Sequence, residues 1–135
     1  MKNLAELFLA PKKYYSDKWS NYIEVYENIF KSKRDVAISI LEIGVQNGGS
    51  LEVWANYFQR GLNFIGCDID PKCEKLSFTD ERIKVIIGDV NDEYVYSRIK
   101  SLNLGFDFII DDGSHRSPDI IKSFFKYFDL QIFYY

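Results

Sequence analysis

The run Asp111-Asp112-Gly113-Ser114-His115 holds the densest chemical signal in the chain. Two adjacent carboxylates repel each other unless a cation or hydrogen bonds relieve them. Carboxylate oxygens with open positions suit Mg²⁺, which takes one or two protein carboxylates and keeps several waters. His115 is the only histidine. An imidazole titrates near neutrality, so His115 could serve as a general base three residues beyond Asp112. The alternative is a capped turn carrying a structural histidine.

A second signal is Glu42-Ile43-Gly44-Val45-Gln46-Asn47-Gly48-Gly49-Ser50. Glycines there permit a tight strand-to-helix turn and close approach of a ligand, and the following helix points N–H groups at it. The dinucleotide fingerprint G-x-G-x-x-G fits poorly, because Gln46 stands where a glycine is wanted, and no lysine follows as a P-loop requires. Asp68 lies 24 residues beyond Gly44 at a strand tip, where an acid can accept hydrogen bonds from both ribose hydroxyls of a nucleoside. Asp89 could meet an adenine edge or cap a turn. Asp70, followed by Pro71, reads as a helix cap. Asp17-Lys18-Trp19 reads as a surface loop rather than a lid over a pocket, and Cys67 as core.

These residues need elements to hold them. Leu4 to Leu9 forms a short helix ending before Pro11, and apolar residues at 22, 23, 26, 29 and 30 recur at helical spacing. Short apolar runs at 36–43, 63–68, 82–87 and 106–110 read as buried strands. Between them come a helix capped by Gly49 or Ser50 and running to Phe58, a short one opened by Asp70-Pro71, and one from Asp92 to Leu102. A last helix starts at Ser117-Pro118 and runs to Phe128. Alternating strands and helices predict a parallel sheet covered on both faces. Ligands in such sheets sit at the carboxyl ends of the strands, and all four predicted ends carry Gly or Asp.

With 135 residues the chain is one domain, with a helical segment at 1–35 and an α/β core at 36–135. Apolar residues at 47% and charged residues at 27% describe a globular protein. A net charge of −3 argues against nucleic acid as a partner, since phosphate binding needs a basic surface. No apolar run reaches the ~18 residues of a membrane span, the start lacks a secretory pattern, and two cysteines frame no disulfide scaffold. A cytoplasmic location is expected.

The motifs at 41–50, 66–71, 87–89 and 110–115, in this order, resemble the class I S-adenosylmethionine (SAM)-dependent methyltransferases. More narrowly, they are similar to the metal-dependent sugar O-methyltransferases of macrolide biosynthesis and the related cephalosporin-hydroxylase-like group. The resemblance covers about residues 14 to 130. It implies a Rossmann-like three-layer sandwich with N-terminal helices packed on a mainly parallel sheet. Glu42, Gly44, Asn47, Gly48 and Ser50 would cradle the methionine part of SAM, Asp68 the ribose, and Asp89 the adenine side. Asp112, with Asp111 beside it, would ligate Mg²⁺. His115 would take the proton of an acceptor hydroxyl as it attacks the sulfonium methyl. The acceptor would be a small molecule or glycan.

The family pattern continues with a Gly-Gly turn, a fifth strand ending in a Glu-Asp pair that completes the metal site, and a seven-stranded sheet. This chain reads Phe128-Asp129-Leu130-Gln131-Ile132-Phe133-Tyr134-Tyr135. The expectation is therefore a shortened methyltransferase with four to five strands, Gln131 to Tyr135 being a stub of the fifth, and a frameshift is one origin. Seven of the last 12 residues are aromatic, so an uncovered apolar surface and self-association are expected. Three functions rank in order: a SAM-dependent, Mg²⁺-assisted sugar O-methyltransferase by descent; a nucleoside-binding or interaction module without chemistry; and a nicotinamide-dependent oxidoreductase.

Overall fold

Four strands lie parallel in the order β3-β2-β1-β4: β1 (Ser39–Ile43), β2 (Asn63–Asp68), β3 (Ile83–Ile87) and β4 (Phe108–Asp111). This computed structural model describes residues 2–10, 13–103 and 105–133. β1 sits between β2 and β4 and is buried along its whole length, which is why its sequence is apolar without alternation. Ile43 pairs with both Cys67 and Asp111, and Asp68 pairs with Ile87, so the carboxyl ends finish level. The chain winds from β1 to β2 and β3 on one side and crosses to β4 on the other. The strand order thus reverses beside the end of β1, where such sheets open a crevice.

Strand alternation divides the interior into two cores. On one face α1 (Leu4–Leu9), α2 (Ser20–Phe30) and α3 (Gly49–Tyr57) pack on Ile40, Phe64, Ile83 and Ile110. Aromatics bind this layer together, with the Phe30 ring 5.4 Å from Trp54, 5.3 Å from Phe58 and 4.6 Å from Phe108. Each such buried ring contributes about 1.5–3 kcal/mol of transfer free energy. On the other face α4 (Glu93–Leu102) and α5 (Ser117–Tyr127) cover Leu41, Ile43, Ile65 and Cys67 through Val95, Ile99 and Tyr127.

The N-terminal segment is tied down by polar contacts. Asn3 and Glu6 form a capping box on α1. The Leu4 N–H and the Tyr57 hydroxyl both donate to Glu27, at 2.7 and 2.8 Å. Farther on, the Lys13 and Tyr14 N–H groups donate to Glu52 Oε2 at 3.2 and 3.0 Å. This stretch crosses the start of α3 so closely that a Cβ on Gly49 would lie 2.3 Å from the Tyr15 backbone.

Some boundaries differ from the sequence reading. β1 begins at Ser39 rather than Val36, and Val36 and Ala37 are exposed. Ser50 does not cap α3: Gly48, at φ 78°, takes the N-cap position with no side-chain bond, and the Ser50 hydroxyl turns to Glu42. β4 starts at Phe108. Phe106 instead forms a parallel bridge to Gln131, donating to the Leu130 carbonyl at 2.7 Å and accepting from the Ile132 N–H at 2.8 Å. That bridge lies on the side of β4 away from β1, where a fifth strand would begin. Tyr134 and Tyr135, the end of the expected stub, and Pro11 lie outside the described residues. The expected apolar surface is present: Ile121, Phe124 and Phe125 on α5, with Phe128 and Phe133 after it, are exposed.

Candidate functional site

A cleft of about 810 Å³ opens over the carboxyl ends of the strands, a size ordinary for a small-molecule site. The glycine loop forms its floor. Gly44 has φ 89°, and a Cβ there would lie 2.3 Å from the Asp112 carbonyl oxygen, so only glycine lets the ends of β1 and β4 touch. Gln46 holds φ 48°, a conformation that costs a non-glycine residue free energy and clusters at functional loops.

Asp68 holds that loop in place. Its Oδ2 accepts the Val45 and Gln46 N–H groups at 2.7 and 2.9 Å, and its Oδ1 accepts the Asp70 N–H at 2.8 Å. Burial pushes the Asp68 carboxyl up. The N–H donors of Asp70, Gln46 and Val45 outweigh it and hold the group below the usual carboxylate range. On the far side Asp89 Oδ1 accepts the Asn91 N–H at 2.8 Å, which is the turn-capping alternative, and Asp89 also lines the cleft.

The wall between β1 and β4 is built on a buried charge cluster. Glu42, fully buried in β1, accepts from the Ser50 hydroxyl at 2.7 Å and the Trp54 indole N–H at 3.2 Å. Its other oxygen lies 2.9 Å from Lys18 Nζ, which also donates to Asp112 Oδ2 at 2.5 Å. Only 5% of the Lys18 side chain is exposed. Burial would lower its pKa, but the Glu42 charge and the hydrogen bonds to Asp112 and Glu42 raise it above the ordinary lysine value. Lys18 therefore stays charged. The reading of Asp17-Lys18-Trp19 as a surface loop is corrected: these residues are a wall of the cleft. The available signal was Glu42 itself, because a carboxylate inside an apolar strand requires a counter-ion.

Eight of the ten predicted site residues line this cleft: Gly44, Asn47, Ser50, Asp68, Asp89, Asp111, Asp112 and His115. Two do not. Glu42 sits behind the wall, and a Cβ on Gly48 would point at the Phe78 ring, 2.9 Å away. The two adjacent aspartates diverge as strand alternation requires. Asp111 accepts from the Ser123 hydroxyl on α5, while Asp112 turns to Lys18 on the opposite face. His115, at φ 55° and with its side chain 73% exposed, holds Nε2 3.8 Å from Asp112 Oδ1. Among the described residues no three His, Cys, Asp or Glu side chains converge as a metal site. Cys67 and Cys73 are buried free thiols, and no described helix is long and apolar enough to cross a membrane.

No family model matches the chain. Similar curated proteins are 8-demethyl-8-alpha-L-rhamnosyl tetracenomycin-C 2'-O-methyltransferase of Streptomyces olivaceus, 35% identical over 118 residues (81% of this chain, 30% of that protein), and demethylmacrocin O-methyltransferase of Streptomyces fradiae, 32% identical over 126 residues (86% and 31%). Mycinamicin VI 2''-O-methyltransferase of Micromonospora griseorubida is 39% identical over 107 residues (73% and 26%). Among solved structures, the MycE methyltransferase of the mycinamycin pathway, in complex with Mg and SAH, superposes with a TM-score of 0.76 at 33% identity, covering 97% of this chain and 35% of that one. A second MycE structure, holding Mg, SAH and mycinamycin VI, matches with the same TM-score of 0.76. The chain thus shares the Rossmann-like methyltransferase fold and spans about a third of the length of the relatives it matches.

Proposed function

Because the relatives of this chain are sugar O-methyltransferases, we propose that it forms the SAM-binding part of such an enzyme, with His115 facing the hydroxyl of a sugar acceptor. One observation carries the reading. The glycine loop is held open by the Gly44 and Gly48 turns and pinned to Asp68, leaving the start of α3 without a side-chain cap beside the cleft. Uncapped N–H groups and a close backbone suit a ligand end rich in oxygen, and Asp68 keeps lone pairs for ribose hydroxyls. SAM, when bound, supplies a methyl group already activated as a sulfonium.

What the chain's own residues contribute is position and proton transfer. Gly44, Asn47 and Ser50 shape the methionine end, Asp68 the ribose end, and Asp89 the adenine side. Asp111 and Asp112 line the cleft from opposite sides of the end of β4. His115 accepts the acceptor's proton on a ring nitrogen, and Asp112 beside it stabilises the imidazolium that results. Asp112, with Asp111 beside it, would hold part of a Mg²⁺ site, since Lys18 and Ser123 each engage only one oxygen of these carboxylates, and the ion would make the acceptor hydroxyl more acidic.

Calorimetric titration with S-adenosylhomocysteine tests the reading. One-site saturable binding is the expected result, and folded protein that does not bind would overturn it. The second reading, a nucleoside-binding module without chemistry, is favoured by the exposure of His115 and the absence of a converged acidic triad among the described residues. Methyl transfer to a panel of glycosides, with and without EDTA, separates the two. The uncovered apolar residues of α5 support self-association of the isolated chain, and a stable monomer at tens of micromolar in sedimentation would refute it. The buried free thiols fit the reducing cytoplasm.

A further inference from the structure

Trp19 and Tyr22 are exposed aromatic side chains on the cleft wall that stack on each other. Trp19 is 72% and Tyr22 53% exposed, and their rings stack with centroids 6.4 Å apart and planes at 29°. Both line the cleft that holds Asp112 and His115. The pair is fixed from both sides. Lys18, the residue before Trp19, is clamped between Glu42 and Asp112, and the Trp19 carbonyl receives the first N–H groups of α2, from Tyr22 at 3.0 Å and Ile23 at 3.3 Å. The backbone that carries the two rings is thus anchored at the cleft that also holds the proposed base.

The surrounding chemistry narrows what such a plane receives. Seven aspartates line the cleft against two cations, Lys18 and Arg116, which disfavours a phosphorylated ligand. Lys18 is already neutralised by Glu42 and Asp112. Asp17 at the same wall is oriented by the Gln46 amide, which when turned to donate lies 3.0 and 3.2 Å from its oxygens. A flat apolar face ringed by hydrogen-bond acceptors matches a neutral pyranose, which carries C–H groups on one face and hydroxyls around its rim. The adenine side lies at the other end of the cleft, near Asp89.

We propose that the Trp19–Tyr22 stack is the platform on which a neutral glycoside ring lies, presenting its hydroxyls to Asp112 and His115. This deepens the methyltransferase reading and rests on it for the second reactant. The platform carries its own reporter, because the only other tryptophan, Trp54, is fully buried with its N–H on Glu42. Methyl α-L-rhamnopyranoside is titrated against the 135-residue chain, following tryptophan emission. A saturable change with a millimolar Kd is expected, weakened about tenfold in Tyr22→Ala, the size of one lost aromatic contact. Rhamnose 1-phosphate should give a weaker response than the neutral glycoside. Trp19→Ala, read by saturation-transfer NMR, should lose ring contact while S-adenosylhomocysteine still binds. No saturable response in protein that binds S-adenosylhomocysteine overturns the platform and leaves the cofactor reading intact. A Trp19 response to S-adenosylhomocysteine that Tyr22→Ala weakens would also overturn it, by assigning the stack to the nucleoside. Glycoside binding without S-adenosylhomocysteine binding would support the platform and remove the methyl-transfer reading.

Discussion

The two sides of the cleft are finished to different degrees. On the β1–β2 side every turn is pinned: Asp68 alone takes three backbone N–H groups, and Gly66 lets Leu51 and Val45 pack directly on β2. On the β4 side the groups that would do chemistry are held by single contacts, Asp111 by Ser123 and Asp112 by Lys18. Lys18 secures Asp112, but His115 is largely exposed, and the aromatic residues of α5 beyond it have no cover. Local sequence builds the first side, because the loop, its acid and the following helix lie within 30 residues. The second side needs partners brought from far away, Lys18 being 94 residues from Asp112.

Lys18→Met gives the largest expected break. It leaves Glu42 buried without a counter-ion and frees Asp112, at a cost of about 3–5 kcal/mol. Urea unfolding measures it, and the double variant Lys18→Met/Glu42→Gln should regain most of the loss, as coupled neighbours do. A single-variant loss below about 1 kcal/mol would show that Lys18 is not what joins the two sides. Gly44→Ala follows, at about 2–4 kcal/mol, because the new methyl meets both a left-handed φ and the Asp112 carbonyl oxygen. It should abolish S-adenosylhomocysteine binding. Full-affinity binding in the variant would mean the contact between the ends of β1 and β4 is dispensable.

Much of the first side was legible beforehand. The alternation of apolar runs with helical periods gave four strands in a parallel sheet, because strands covered on both faces have no other composition to adopt. Gly44 and Asp68 were recognisable since turn geometry and strand-end position are encoded in adjacent residues. Lys18 was not, because its role comes from a contact across the fold, and a lysine between Asp17 and Trp19 in a short connecting stretch looks like solvent-facing loop. Asp111 and Asp112 were recognisable as carboxylates at a strand end, but their separate partners were not. Adjacent residues at the end of β4 point to opposite faces, one to Ser123 and the other to Lys18. Ser50 was assigned to capping for a similar reason, its actual partner being the buried Glu42.

Acid and alkali should separate the two sides. Asp68 titrates below its ordinary value, so its contribution is present above about pH 4 and is lost as pH falls through the depressed native value. Asp68→Asn should cost about 1–3 kcal/mol at neutral pH, from weakened loop N–H bonds, and should flatten the acid limb of stability. Lys18 is shifted the other way. Its contribution is complete below about pH 10 and is lost as pH rises through the raised native value. Tyr57, pushed up to about 12 by burial and by the Glu27 hydrogen bond, adds to the same alkaline limb. Lys18→Met should therefore shrink the alkaline limb. Urea midpoints at pH 3, 7 and 11 check both signs.

The smallest effect on stability is expected where the surface is least finished. Phe125 on α5 is 73% exposed, so Phe125→Glu should change unfolding free energy by no more than about 0.5 kcal/mol. It should nevertheless lower the sedimentation coefficient at high concentration, because it places a charge in the apolar patch through which copies would meet. If Phe125→Glu left self-association unchanged but lowered stability by several kcal/mol, α5 would be packed in solution. The contrast between the two sides would then lie only in the exposure of His115.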